Sequence, residues 1–149
     1  MNIQTKFHGT VELHDTDVLL IDRPPLLGFS HLSRFLLLPH AQDSPFLYLQ
    51  SAENPRICFV VVDPLVWVSD YAIPEEDITD LGSRDDWAAL TVCTIDPQGG
   101  QVTANLRSPL VINKTTRRGG QFVLSVPYPH QFPLMQQEDS HAGLNQKVR

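Results

Sequence analysis

Phe46-Leu47-Tyr48-Leu49-Gln50-Ser51-Ala52-Glu53-Asn54-Pro55-Arg56-Ile57-Cys58-Phe59-Val60-Val61-Val62-Asp63-Pro64 decides how the chain is read. Two apolar runs rich in aromatic and β-branched residues flank an Asn-Pro turn, which is the pattern of a β-hairpin. The second run, Cys58 to Val62, is apolar at every position, so it predicts a strand covered on both faces, ended by Asp63-Pro64. Towards the N-terminus, Asn2 to Phe7 alternates, Gly9 breaks the pattern, and Thr10 to Leu13 resumes it. Val18 to Ile21 and Phe35 to Leu38 are further short strands, separated by an extended Pro24-Pro25 exit and a turn at Leu27-Gly28-Phe29. Towards the C-terminus, Ala88 to Ile95 and Gln101 to Leu106 read as one hairpin, and Pro109 to Asn113 and Gln121 to Val126 as another. Each contains a Gly-Gly pair, Gly99-Gly100 or Gly119-Gly120, expected to supply positive φ at the hairpin end. About eight short strands in hairpin rhythm predict an all-β fold, mainly antiparallel and barrel-like, with one or two short helices. The helical stretch is expected within Ser69 to Asp86, with Pro74 at its first position, carboxylates in its first turn and Gly82 at its stop.

The 149 residues suit one domain, assigned to residues 1–135, followed by a polar flexible tail over residues 136–149. A hydrophobic content of 42% with 19% charged residues excludes wholesale disorder. The net charge of −6 disfavours direct nucleic-acid binding, and Lys114, Arg117 and Arg118 read as a solvated hairpin tip. No apolar run reaches the ~18 residues of a membrane span, and the N-terminus has no signal-peptide pattern. Cys58 and Cys93, both within apolar runs, read as small buried residues in a reducing compartment. A cytoplasmic protein that does not act on membranes is expected.

Nothing in the chain spells out catalysis. The six histidines (His8, His14, His31, His40, His130 and His141) are scattered without metal-ligand spacing, so no metal or other cofactor is expected. There is no Gly-x-Ser-x-Gly elbow and no Gly-rich phosphate loop opening a helix. A non-enzymatic protein is expected, with a small-ligand-binding β-barrel and, behind it, a hydrolase as the alternatives. The acidic residues say more. Asp70, Glu75, Glu76, Asp77, Asp80, Asp85 and Asp86 stand against Arg84 alone, so residues 70–86 carry the whole net charge and the remainder is neutral. Charge of one sign gathered in one segment steers a partner of the other sign. Tyr71 and Trp87 flank the segment as aromatic anchors of the kind that interfaces favour.

Four strings carry a resemblance. They are Leu27-Gly28-Phe29, the Phe46-to-Pro64 hairpin with its Leu49-Gln50-Ser51 and Val62-Asp63-Pro64, Asp70-Tyr71, and Thr103-Ala104-Asn105-Leu106-Arg107-Ser108-Pro109-Leu110-Val111-Ile112-Asn113 followed by Gln121-Phe122-Val123-Leu124. From Ile3 to about Leu134 the chain resembles the flagellar assembly factor FliW family. The resemblance implies a small antiparallel β-barrel and a regulator that binds two proteins. One is the RNA-binding translational repressor CsrA, which it stops from repressing flagellin mRNA by an allosteric protein–protein contact. The other is flagellin, which displaces CsrA. Asp70, Tyr71, Glu75, Glu76, Asp77, Asp80 and Trp87 are then the candidate CsrA contacts. Gln50, Asn105 and Asn113, which lie in the matching strings, are the candidate flagellin contacts.

Overall fold

The hairpin at Phe46 to Pro64 is present, and the rest of the architecture is laid beside it. A computed structural model describes residues 2–135. Its strands are β1 (Asn2–Gln4), β2 (Thr10–Glu12), β3 (Leu19–Ile21), β4 (Arg34–Pro39), β5 (Phe46–Ser51), β6 (Cys58–Val62), β7 (Trp87–Ile95), β8 (Val102–Ala104), β9 (Leu110–Asn113), β10 (Arg118–Gln121) and β11 (Phe132–Met135). Antiparallel pairing runs β4-β5-β6-β7, with Tyr48 opposite Val60 and Val61 opposite Val92. The closure is made at β7, whose first half, Trp87 to Leu90, pairs with β9 while its second half, Cys93 to Ile95, pairs with β8. β9 continues to β10, and β10 meets β3 in parallel, so seven strands form a closed ring. A closed ring leaves no sheet edge around its girth. β8 and β11 extend from the ring as a ribbon, and the β1–β2 hairpin packs on its outer surface.

Alternation along the strands sorts side chains into two layers. Leu47, Leu49, Phe59 and Val61 face the barrel interior with Leu19, Ile21, Phe35 and Leu110. Phe46, Val60 and Val62 face outward into a second cluster with Tyr71, Leu106 and Leu124. Cys58 to Val62 therefore meets apolar clusters on both faces, with Val61 and Val62 buried and Cys58, Phe59 and Val60 half-buried. The interior is filled by large side chains with no exposed surface, Phe35, Leu49 and Val61 among them, rather than hollowed for a ligand. Truncating one of them, such as Leu49 to Ala, costs about 2–5 kcal/mol.

Several features differ from the sequence reading, among them the strand expected at Gln121 to Val126, which forms instead at Arg118–Gln121. The stretch Ser69 to Asp86 forms no α-helix and holds only three-residue 3-10 turns at Glu75–Asp77 and Arg84–Asp86. A helix rises 1.5 Å per residue and an extended chain roughly 3.3 Å. The segment has to reach tie points spread over the barrel wall, and Asp80 and Gly82 both take positive φ on the way. A helix would also stack Glu76 and Asp80 at the repulsive i, i+4 spacing. The second Gly-Gly pair is not at a hairpin end. Gly119 and Gly120 lie inside β10, where a Cβ on Gly119 would strike the Val111 carbonyl and one on Gly120 the Arg23 carbonyl and Pro24 nitrogen. These glycines admit the close backbone approach that shuts the barrel, with Gln121 N–H donating to the Pro24 carbonyl at 3.0 Å. Arg117 supplies the positive φ of that turn. Lastly, β11 had no strand signal in the sequence; Phe132 to Met135 is a strand because β8 offers it a partner edge. The tail expected over residues 136–149 lies outside the described residues.

Candidate functional site

The acidic segment is a strap laid along the outside of the barrel from Asp63 to Trp87. From Ile73 onward its apolar residues point down: Ile78 and Leu81 are buried with Val111 and Phe122, and Ile73 and Trp87 pack against them. Polar ties recur along its length. The Tyr71 hydroxyl donates to the Leu106 carbonyl at 2.6 Å, and Ala72 N–H donates to the Tyr128 hydroxyl at 3.0 Å. The Asp77 carboxylate accepts from both the backbone N–H and the hydroxyl of Ser125, at 2.8 and 2.9 Å. The Leu81 carbonyl accepts from Trp87 Nε1 at 3.1 Å and from Asn113 Nδ2 at 3.0 Å. Gly82, next in the chain, sits at positive φ against that same Asn113 amide, where a side chain would be crowded. Lys114 N–H closes the series on the Asp86 carbonyl.

Held this way, the strap presents its carboxylates to solvent. Asp70, Glu75, Glu76, Asp80 and Asp85 are exposed, and Asp77 and Asp86 are half-buried. The counter-charge is slight: Arg84 reaches Glu75 only at 4.0 Å, a surface pair that contributes little.

The aromatic candidates do not stand free. Tyr71 is 8% exposed and its hydroxyl is committed, and burial first, then Tyr128 beside it, raises its phenol pKa. Trp87 is half-buried, with Nε1 turned inward and the Arg84 guanidinium 5.8 Å from its ring centre. Both fix the strap rather than offer it. The exposed apolar surface comes instead from Leu65 and Val66, 52% and 50% exposed, in the 3-10 turn Pro64–Val66 that the Asp63 side chain caps. In the sequence Leu65 and Val66 open an apolar run of four, Leu65 to Val68, and no local signal separates the exposed pair from the half-buried Trp67 and Val68 that follow.

Of the three amides assigned to a second partner, two are internal. Gln50 has no exposed surface. Its Nε2 lies within reach of the Ser51, Pro55 and Ile57 carbonyls, and its Oε1 accepts Lys6 N–H at 2.9 Å, tying the β1–β2 hairpin to β5. Asn113 is buried, with Oδ1 accepting from Thr115 and Thr116 N–H and Nδ2 holding the strap. An Asn or Gln that satisfies turn and loop backbone groups in this way acts on the fold, and an incoming protein meets neither side chain directly. Asn105 differs. It caps Ser108 N–H at 3.0 Å yet remains half-exposed, and it lines an open groove of about 300 Å³ at one end of the barrel.

The comparisons agree with this architecture. A sequence model of the family described as FliW protein matches residues 2–134. A flagellar assembly factor FliW from Geobacillus kaustophilus is 34% identical over 129 residues, covering 84% of this chain and 88% of that protein. The Treponema pallidum flagellar assembly factor FliW is 34% identical over 128 residues, covering 83% and 84%. That of Anoxybacillus flavithermus is 37% identical over 133 residues, covering 86% and 90%. A crystal structure of the flagellar assembly factor FliW superposes with a TM-score of 0.80 at 31% identity, covering 91% of this chain and 97% of that one. With one family model spanning nearly the whole described chain and the same barrel in a solved relative, the protein belongs to the FliW family of flagellar assembly factors.

Proposed function

We propose that within flagellar assembly this protein acts as a two-partner regulator: it holds the basic RNA-binding repressor CsrA on its acidic strap and yields it when flagellin binds. Translation of flagellin mRNA is then released from repression by protein–protein contact, without the barrel touching RNA. What supports the reading is that the whole net charge of the chain falls on one segment tied to a rigid wall. Fixed carboxylates raise the encounter rate with a basic surface and lose that effect in salt. Charge at a rim gives little affinity alone, so the contact also needs apolar area, which Leu65 and Val66 supply just before the acidic residues in the chain. Asp70, Glu75, Glu76 and Asp80 are the direct contacts in this reading. Tyr71, Asp77 and Trp87 keep the strap in place.

Titration with purified CsrA by calorimetry, repeated with flagellin as competitor, tests it. Saturable binding that weakens with salt and is displaced by flagellin is expected. No binding at low salt removes the CsrA assignment, and simultaneous binding of both proteins removes the displacement.

A further inference from the structure

Closing the barrel at β10 gathers three arginines around one groove. Arg118 of β10 lies opposite Leu20 of β3, and Leu20 lies opposite Arg34 of β4. Residues paired across neighbouring strands share a face of the sheet, so these three form one row. Leu19 and Ile21 on either side of Leu20 fill the interior, which turns the row outward. Arg34 and Arg118 therefore flank Leu20, two strand spacings or roughly 10 Å apart at their Cα atoms. Arg117 joins them from the turn, where it takes a left-handed φ of 64° and its carbonyl accepts Leu20 N–H at 2.9 Å. In the sequence Arg117 and Arg118 are neighbours at a hairpin tip. That Arg34 stands beside them is a product of the parallel β3–β10 pairing.

The protein itself makes little use of these cations. Among the described residues the Arg34 guanidinium has no hydrogen bond or ion pair, and Arg118 meets Asp22 only at 3.6 Å. Arg117 gives Nη2 to the Asp17 carbonyl at 3.1 Å, a neutral acceptor, while its Nε is shut off from solvent with no acceptor among the described residues. Nearby carboxylates are spent on backbone instead, Asp17 on His14 N–H and Glu53 on the N–H groups of Ser33 and Arg34. The groove holds about 530 Å³, well within the range of small-molecule sites. The half-buried Val18 and Leu20 give it apolar surface, and the exposed Thr116 and Asp15 complete its lining.

A guanidinium without a carboxylate offers parallel N–H donors that match the oxygens of a phosphate. Three of them around one cavity suit a ligand with more than one phosphate. Asp15, whose carboxylate has no partner among the described residues, repels phosphate and accepts from a hydroxyl or an amine. Several phosphates joined to a body that carries O–H and N–H donors describe a nucleoside di- or triphosphate. A long RNA suits the molecule less well, because the strap's charge of −6 repels a polyanion that extends beyond the groove.

We propose that this groove binds a nucleoside di- or triphosphate, with its phosphates on Arg34, Arg117 and Arg118 and a sugar or base donor on Asp15. The site uses no residue of the strap and does not rest on the function proposed above.

Calorimetric titration of the full chain without Mg²⁺, using inorganic triphosphate and the four common ribonucleoside triphosphates, tests this. Arg34→Gln and Arg118→Gln are compared with Arg56→Gln, an exposed arginine outside the groove. Saturable binding is expected, at least fivefold weaker in each groove variant and within twofold of the parent in Arg56→Gln, all at the parent's melting temperature. Where a Gln variant melts lower, the Lys variant at that position keeps the charge and loses the fork, and at least a twofold loss is expected. At least one nucleotide should bind threefold or more tighter than inorganic triphosphate, and Asp15→Ala should erase that advantage. No saturable binding at millimolar ligand, or equal losses in Arg56→Gln and the groove variants, overturns the site. Inorganic triphosphate bound as tightly as every nucleotide, or an advantage that survives Asp15→Ala, overturns the nucleoside assignment. A short single-stranded RNA bound more tightly than any mononucleotide through the same arginines overturns the small ligand in favour of RNA.

Discussion

The acidic strap and the strand-end amides are both polar, both connect secondary structure, and both stand out in the sequence, yet they do opposite work. Gln50 and Asn113 are buried and spend their hydrogen-bonding capacity on backbone groups of loops that the barrel must bring together. Most strap carboxylates are turned to water and, among the described residues, only Asp77 and a loose Glu75–Arg84 contact tie one to a side chain or backbone group. An uncharged amide can be buried if its donors and acceptor are matched, whereas a carboxylate taken out of water needs a cation or several N–H groups. A one-sided acidic segment is thus pushed outward, where it is free to meet another molecule.

The largest effect that would break this contrast belongs to the amides. Gln50→Ala leaves Lys6 N–H without its acceptor and removes the donor shared by three carbonyls, and should cost about 2–3 kcal/mol. Thermal denaturation should show a fall in Tm of roughly 5–10 °C for a chain of this size. A change below one degree would mean that the hairpin–β5 tie is dispensable. Next comes the opposite behaviour. Reversing Glu75, Glu76 and Asp80 together to lysine should leave Tm within about a degree while weakening CsrA binding about tenfold at low salt, with the difference shrinking as salt rises. Unchanged affinity would strip the strap of its role.

Tyr71→Phe falls between the two regions, because it loosens the strap without altering its charge. Loss of the bond to the Leu106 carbonyl should cost about 1 kcal/mol, seen as a Tm lower by ~3 °C, and CsrA affinity should fall less than for the triple reversal. If Tyr71→Phe abolished binding at full stability, the hydroxyl would be a contact after all.

The smallest effect lies in acid. Burial alone would raise the Glu53 pKa, but the backbone N–H groups of Arg34 and Ser33, and the charge of Arg34, outweigh it and hold the carboxyl below its ordinary value of 4.5. A carboxyl whose pKa is lowered by folding contributes stability above its unfolded pKa and loses it as pH falls through the folded value. The parent protein should therefore lose Tm between about pH 4.5 and lower pH. Glu53→Gln should show a shallower slope in that window and no change in slope at neutral pH. Parallel curves for the two proteins would show that the Ser33–Arg34 cap carries no linked proton.

Strand content was legible because hydrophobic alternation is a local property. The Phe46-to-Pro64 hairpin needed only its own residues, with an apolar run on each side of an Asn-Pro turn. The segment from Ser69 to Asp86 looks helical in the sequence for the complementary reason: Pro74, three carboxylates and Gly82 make a plausible helix when the tie points on Leu106, Asn113 and Ser125 are out of view. Gly119-Gly120 resembled a turn signal and proved to be a clearance, which no local window can distinguish. Of the candidate contacts, the exposure of Asp70, Glu75, Glu76 and Asp80 followed from their charge. The burial of Tyr71, Gln50 and Asn113 did not, because each contacts a strand or loop far away in the chain.

By itself, then, the sequence determined most of the strand segments up to β9, where the net charge lies and, through its matching strings, the family. It could do so because periodicity, charge and motif are written in neighbouring residues. Tertiary structure alone decided that β10 closes the ring against β3 and that β7 divides its edge between β9 and β8. It also decided that the acidic segment is strapped flat against the barrel wall. Those outcomes depend on backbone groups many residues apart satisfying one another, and a hydrogen bond between distant strands leaves no trace in the local order of residues.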